Sequence, residues 1–503
     1  MPELLLIPTA LAYISVVGLL FVYGMNFFHL TWLAWSRRAA RTATPALATW
    51  PRVTVQLPIY NELYVVQRLI RAAARIEYPA GLLEIQVLDD STDETVEIVR
   101  GEVERARQLG LNISRLHRAE RTGFKAGALS DGLTQAHGEF IAIFDADFIP
   151  PPDYLLKVMP HFGDARVAFI QTRWGHLNRD YSLLTYLQAL AIDAHFMVEQ
   201  FARSQAGYAF NFNGTAGVWR RAALEDAGGW KADTLTEDLD ISYRAFLRGW
   251  RAVYLRDVVA PAELPASFSA YRRQQHRWAR GSFECALKLL PQVWRAPLTT
   301  AQKVEATLHL TGYGVHLLLC ALVILYPMVI SLTDRFPSLI VLFGLAIVFN
   351  VTAFAPTAFF VVAQQQLGRR WWLMLPVILF ITVLGAGMML NTARAALQIA
   401  VSRQSTFERT PKFGLYRRGE RWIGRRYQLR LDRIVFVELA FALFNGATLI
   451  AALGTGNWLI AIYAALFCAG LLFTSLTTLT QAFAARRADA SLYAATPSVA
   501  NVE

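Results

Sequence analysis

The chain has 503 residues, of which 54% are hydrophobic and 17% charged, and its mean hydropathy is +0.32. Soluble domains rarely combine that apolar content with so few charges, so a purely soluble protein is excluded, and the length allows two or three domains. The net charge of +11 would suit nucleic acid, but the basic residues sit beside apolar spans and mark a cytoplasmic membrane face, so a lipid bilayer and no nucleic acid is expected as partner.

In chain order, Leu4 to Trp35 carries no Lys, Arg, Asp or Glu, and Arg37, Arg38 and Arg41 follow it. This stretch is too long for a signal-peptide core and reads as a spanning helix (1–36) with its C-terminal end in the cytoplasm. A soluble domain is expected over 37–300. Its strands are predicted at Val53–Leu57, Glu84–Leu88, Ile113–Leu116 and Phe140–Phe144, and its helices at Glu62–Ile76, Asp93–Leu109, Lys125–Ala136 and Ile241–Leu247. Apolar strands alternating with amphipathic helices predict a mostly parallel sheet covered on both faces. Ligands of such sheets bind beyond the carboxyl ends of the strands, where Asp89, Asp90, Asp145 and Asp147 fall.

Asp145-Ala-Asp147 directly follows a buried strand, so both carboxylates can turn toward one point and hold Mg²⁺ or Mn²⁺ against a diphosphate. A solvated turn is the bland alternative. Thr236-Glu237-Asp238 precedes a helix and reads either as an N-terminal cap or, through Asp238, as a general base for an attacking hydroxyl. Asn211 to Gly217 is small and polar, suited to bringing backbone close to a ligand. Gln274, Arg277 and Trp278 suit a phosphate-and-sugar site, while Arg272, Arg273 and Arg280 could equally serve as snorkelling interface residues. Lys125 meets phosphate or is a solvated helix-start lysine. His276 and the scattered cysteines (Cys285, Cys320, Cys468) show no metal spacing and read as structural. Neither phosphate-binding glycine motif of nucleotide hydrolases or dehydrogenases is present.

Further spans are expected near 307–332 and 338–363, and near 434–453 and 457–482. Residues 371–401 are apolar enough to cross as well. A crossing there would carry the basic segment 402–433 outside, against the positive-inside rule. The segment is therefore expected at the interface or re-entrant, with Arg394 and Arg403 facing headgroups. The resulting layout is 301–401 with two spans and an interfacial segment, 402–433 as a cytosolic loop, and 434–503 with two spans and a tail. The N-terminus is then outside and the C-terminus inside, as an integral protein of a plasma or inner membrane with a cytoplasmic catalytic domain.

Taken in order, Asp89-Asp90, Asp145-x-Asp147, Thr236-Glu237-Asp238 and Gln274-x-x-Arg277-Trp278 resemble the motifs of the family 2 processive glycosyltransferases, which make cellulose, hyaluronan and related polymers. The resemblance covers about residues 52 to 420. The stretches 121–129, 212–220 and 271–278 look most like the cellulose-synthase-like A and C enzymes, the former being glucomannan 4-β-mannosyltransferases.

The resemblance implies a GT-A fold with a helical membrane bundle of about five spans, and inverting hexosyl transfer from a nucleotide sugar, GDP-mannose or UDP-glucose. It implies that Pro58, Tyr60, Glu62, Asp90, Lys125, Asp145, Gln274 and Arg277 bind the donor, and that Asp145 and Asp147 hold Mg²⁺ or Mn²⁺. It implies further that Asp238 is the base, and that Phe212, Asn213, Gly214, Thr215, Glu237 and Trp278 meet the acceptor. Phe407, Thr410 and Lys412 resemble the family's gating loop, with Arg409 standing where Val is expected. The expected product is a growing β-glycan, made processively and exported. The alternatives are a non-processive transferase with a lipid acceptor, and an inactive scaffold or transporter. Spans nearly devoid of ionisable residues, Glu438 excepted, weigh against the transporter.

Overall fold

The structure is a computed structural model and describes residues 2–40, 47, 49–336, 346–401 and 408–495. Phe407, Arg403 and the first part of the span expected at 338–363 lie outside them.

The soluble part is built on a seven-stranded sheet: β1 Val53–Ile59, β2 Leu83–Asp89, β3 Ile113–His117, β4 Phe140–Ile143, β5 Val167–His176, β6 Gly217–Arg220 and β7 Arg251–Ala262. Their order is β3-β2-β1-β4-β6-β5-β7. The four pairings β1–β2, β1–β4, β2–β3 and β5–β7 are parallel; only β6 runs antiparallel to its neighbours β4 and β5. The mostly parallel expectation therefore holds for the first half, where Val53, Val55 and Leu57 face one buried cluster, and Ile141 and Ile143 face another on the opposite side. Residue 59 of β1 pairs with Asp89 of β2, so the carboxyl ends of β1, β2 and β4 share one edge.

The reversed β6 has a specific consequence. Ala216 donates its N–H to the Ile143 carbonyl, and the Thr215 hydroxyl accepts from the Asp145 N–H at 2.9 Å. The 211–217 loop is thus stitched to the exit of β4, beside the two aspartates.

Among the described residues, six helices are long and apolar enough to cross a membrane: Leu6–Ser36, Gly314–Arg335, Val348–Gln366, Trp371–Val401, Ile434–Gly454 and Trp458–Arg487. Trp371–Val401 is one more than the five expected spans; its first part packs along the last of these helices and also meets the sheet domain. Met374, Ile378, Ile381, Leu384 and Met388 repeat at helical spacing and pack on Leu184, Leu187, Leu190, Phe268 and Tyr271, which belong to helices flanking the sheet domain. The helix breaks at Met388, and the remainder, Met389–Val401, packs on the helix Phe268–Arg295. Arg394 does not face outward as expected. It is paired with Asp432 at 2.8 Å and donates to Asn391. Residues 408–427 lie on the sheet domain: Tyr181 donates to the Glu420 carbonyl at 2.8 Å and Arg418 to the Asp180 carbonyl at 2.8 Å.

Arg272 also departs from expectation. It is fully buried rather than interfacial, forked against the fully buried Glu438 of helix Ile434–Gly454 and donating to Thr478.

Candidate active site

The site forms where three sequence-distant pieces meet the carboxyl edge of the sheet. The helix Phe268–Arg295 supplies Gln274, Arg277 and Trp278, and its Gly281 lies against Thr236, where a Cβ would come within 2.5 Å of the Thr236 hydroxyl. That close approach sets the Thr236-Glu237-Asp238 turn beside the helix. The Thr236 hydroxyl makes no cap bond; it meets the Cys285 thiol at 3.5 Å. Asp238 Oδ1 instead accepts the first-turn N–H of Leu239 at 2.9 Å, and both Glu237 and Asp238 line the pocket.

One cavity of about 180 Å³ gathers Pro58, Tyr60, Glu62, Asp90, Lys125, Asp145, Asp147, Asn213, Gly214, Glu237, Asp238, Gln274, Arg277, Trp278, Thr410 and Lys412. Most of the expected site residues therefore meet. Two do not reach it. Phe212 is fully buried in the core against Phe169 and Trp219, and Thr215 is buried beneath Asp145, so neither can touch an acceptor. Their contribution is to the shape of the loop.

Lys125 holds Asp145 at 2.6 Å and donates to the Gly214 carbonyl at 2.9 Å. Lys412 holds Asp147 at 2.7 Å and also donates to the Glu263 carbonyl. Seven carboxyl groups and five Lys or Arg side chains line the cavity. Arg118 and Arg68, outside the lining, pair with Asp90 and Glu263, so the charges balance; Asp145 and Asp147 stand one residue apart at the β4 exit, each held by an ammonium group whose place a divalent cation can take. The residues thus fit a divalent cation. Among the described residues no cluster of three or more His, Cys, Asp or Glu could cage one, so phosphate oxygens would have to complete its shell.

Burial, and next the neighbouring Glu237, push the Asp238 carboxyl up to about 7, against the pull of Lys125. Burial also pushes Glu62 up to about 7, with Arg409 opposing and Asp147 assisting. The Thr410 hydroxyl is buried with no hydrogen-bond partner among the described residues, so a polar group facing the cavity awaits an acceptor or donor.

Several residues of the site had been given no role in it from the sequence. Arg118 forks both carboxylate oxygens of Asp90 at 2.7 and 2.6 Å, so the wall presents this pair rather than a bare carboxylate. The Arg121 guanidinium stacks on Tyr60 at 3.5 Å. Glu263 accepts from the N–H groups of Phe413 and Gly414 and pairs with Arg68 at 2.7 Å, anchoring the loop that carries Lys412. Arg409, the departure from the gating pattern, pairs with Glu62 at 3.0 Å and stacks on Tyr427. Arg409, as the misfit in its motif, and Arg121, at the head of the 121–129 stretch, had a signal in the sequence.

A second cavity of about 410 Å³ adjoins the first and shares Trp174, Asn213, Asp238, Gln274 and Trp278 with it. It runs beneath the first membrane-length helix (Tyr23, Asn26, Phe27, Leu30) to Tyr313 and His316. Asp238 thus stands between a charged chamber and a larger, more apolar one.

Residues 51–281 match the family described as glycosyltransferase like family 2. Over 263 residues the chain is 47% identical to the probable glucomannan 4-beta-mannosyltransferase 6 of Oryza sativa subsp. japonica, covering 51% of this chain and 45% of that protein. Over 253 residues it is 45% identical to the glucomannan 4-beta-mannosyltransferase 2 of Arabidopsis thaliana, covering 49% and 47%. The chain spans about half the length of these relatives. Among solved structures, the mannosyltransferase of Pyrobaculum calidifontis, in complex with GDP-Man and Mn²⁺, aligns over 78% of this chain and 98% of its own, with a TM-score of 0.50 and 22% identity. That likeness bears on the fold, which is the expected GT-A type. Residues 51–281 are thus a glycosyltransferase family 2 domain, similar to that of the glucomannan 4-beta-mannosyltransferases.

Proposed function

We propose that the protein is a membrane-embedded inverting β-glycosyltransferase that moves a hexose from a nucleotide sugar to the end of a β-glycan, processively and with export. The observation that carries this reading is the position of Asp238, a half-buried carboxyl at the junction of the two cavities whose pKa is raised to about 7. A base poised near neutral pH suits removal of a proton from a sugar hydroxyl. The acceptor lies in the larger cavity with its terminal hydroxyl at Asp238, against Trp278, Asn213, Gly214 and Glu237. The donor lies in the charged chamber, along Pro58, Tyr60, Glu62, Asp90 and Gln274.

The acceptor oxygen attacks the anomeric carbon as Asp238 takes its proton. The bond from that carbon to the diphosphate breaks on the opposite face, which inverts the configuration. Lys125 and Arg277 offset the charge developing on the leaving nucleoside diphosphate. Asp145 and Asp147 would hold Mg²⁺ or Mn²⁺, which neutralises diphosphate charge when bound. Thr410 and Lys412 close over the donor from the 408–414 loop.

The relatives named above are mannosyltransferases, so GDP-mannose is the first donor to try and UDP-glucose the second. In sealed inverted membrane vesicles with radiolabelled donor, the wild type should build a ladder of long products. The Asp238→Asn variant should incorporate no label at equal expression. Label confined to one or two sugars on lipid would replace processive synthesis with glycolipid formation. Normal incorporation by Asp238→Asn would remove the base from its role.

A further inference from the structure

Helix Leu183–Ala194 continues into Phe201–Ala206 through a π-helical turn, His195–Gln200. Such turns insert a residue and re-aim side chains, often at functional sites. Here the turn aims His195, Glu199 and Gln200 at the 211–214 loop. His195 Nδ1 is 2.6 Å from Glu199 Oε2, and its Nε2 is 3.1 Å from Asn213 Nδ2. Gln200 Nε2 donates to Asn213 Oδ1 at 2.5 Å and to the Asn211 carbonyl at 2.8 Å.

The direction of this chain of hydrogen bonds is fixed from both ends. The Glu199 carboxylate and the Asn211 carbonyl can only accept. Gln200 must therefore turn its NH₂ to Asn211 and Asn213 Oδ1, which leaves Asn213 Nδ2 to donate to His195. His195 must then be neutral, with its proton on Nδ1. Burial pushes Glu199 up, but His195 and Arg203 together hold it low, so it stays ionised. Both imidazole nitrogens are used, so His195 has none left for a ligand.

The chain ends at the chemistry. Gly214, next to Asn213, adopts a left-handed φ of 78°, and a Cβ there would lie 2.9 Å from Asp238 Oδ2. Its carbonyl holds Lys125. We propose that His195 and Glu199 are positioning residues that lock Asn213, and through Gly214 set the placing of Asp238 and Lys125. The proposal rests on the glycosyl-transfer reading for its effect on rate, and on geometry alone for its effect on the loop.

Replacement of His195 by Gln preserves the pattern, because one amide can donate to Glu199 and accept from Asn213. His195→Leu breaks it, and Glu199→Gln removes the end that fixes its direction. Two measurements test this on the full-length protein in detergent. Hydrogen exchange, read by mass spectrometry, should show the 211–217 peptide exchanging faster in His195→Leu and Glu199→Gln, but not in His195→Gln, with β1–β4 unchanged. In vesicles, kcat should fall about tenfold or more in the first two variants, as misplacement of reacting groups does, while donor KM stays put. His195→Gln should stay within about threefold of wild type. Unchanged exchange of 211–217 in His195→Leu overturns the proposal whether or not the protein transfers sugar. So does a loosened loop with unaltered kcat. A wild type that transfers no sugar defeats the glycosyl-transfer reading, while the exchange data still judge the loop.

Discussion

At the scale of single residues, Asp238 and Trp278 carry the sharpest expectations. Burial first, then Glu237, raises Asp238 to about 7. The base must be ionised, so sugar incorporation should climb with pH through a midpoint near 7 and level off above it. Stability should move the other way. A carboxyl whose folded pKa lies above its unfolded value contributes stability below the unfolded value, and loses it as pH rises through the folded one. Between about pH 4 and 7 this group's contribution declines while activity rises. Glu62 is pushed to the same range by burial, so a profile of Glu62→Gln separates the two. A midpoint that stays near 7 in that variant belongs to Asp238, and a midpoint near 4 in the wild type would contradict the raised value. Trp278 lines both cavities. Its flat apolar face suits the acceptor sugar, so Trp278→Ala should slow elongation more than it slows hydrolysis of the donor by water. Equal losses in both rates would return Trp278 to a structural role.

At the scale of elements, the helix Phe268–Arg295 joins the chemistry to the membrane. Its first turns hold Arg272, forked against Glu438, with Thr474 and Ser475 donating to the same carboxylate at 3.4 and 3.3 Å and the Arg272 carbonyl accepting from Asn391. Less than two turns later the same helix presents Gln274, Arg277 and Trp278 to the site. Glu438→Leu would leave a buried, unpaired guanidinium, at a cost of about 3–5 kcal/mol, whereas removing both charges together is often neutral. Thermal unfolding in detergent should therefore show a large drop for Glu438→Leu and recovery in Arg272→Met/Glu438→Leu. A double variant no more stable than the single would deny that the pair acts as a unit. This pair also marks where sequence reading stops. The strands β1 to β4 were legible because each is an apolar run bounded by turns, and the strand-end aspartates followed from them. β5, β6 and β7 were not: β6 has four residues, and Arg251–Ala262 carries Arg256 and Asp257 within the strand. Arg272 beside Arg273 looks like any interfacial basic residue. Only a partner 166 positions away shows that it is buried. Likewise Phe212 sits in a polar loop, and nothing local reveals that its ring turns inward while Asn213 turns out.

At the scale of the whole molecule, the question is how the chain returns to the sheet domain between the fourth and fifth membrane-length helices. Just before Trp371, Arg369 is paired with Asp193 at 2.5 Å and Gln366 donates to the Ala34 carbonyl, so the chain stands at the domain. After Val401, residues 408–427 again lie on the domain, with Lys412 on Asp147 and Tyr181 on Glu420. A single straight crossing by a 31-residue apolar helix would put these two stretches on opposite faces of the membrane. The break at Met388 and the seam of Met374, Ile378, Ile381 and Leu384 along Leu184, Leu187 and Phe268 favour the alternative we propose, a segment at the membrane face that touches the domain; it also packs along the last membrane-length helix, where a Cβ on Gly387 would fall 2.3 Å from the Gly470 carbonyl. The positive-inside rule points the same way, since the 408–433 stretch is rich in arginine. Arg370 and Arg417 are both exposed and flank the segment, so Arg370→Cys and Arg417→Cys report its two ends. With a membrane-impermeant maleimide, both should label in inverted vesicles and neither in intact cells, while Asn457→Cys, between the last two helices, should label in intact cells. Labelling of Arg370→Cys and Arg417→Cys from opposite faces would make Trp371–Val401 a true span, and would carry Thr410 and Lys412 away from the donor chamber on which the proposed closure depends.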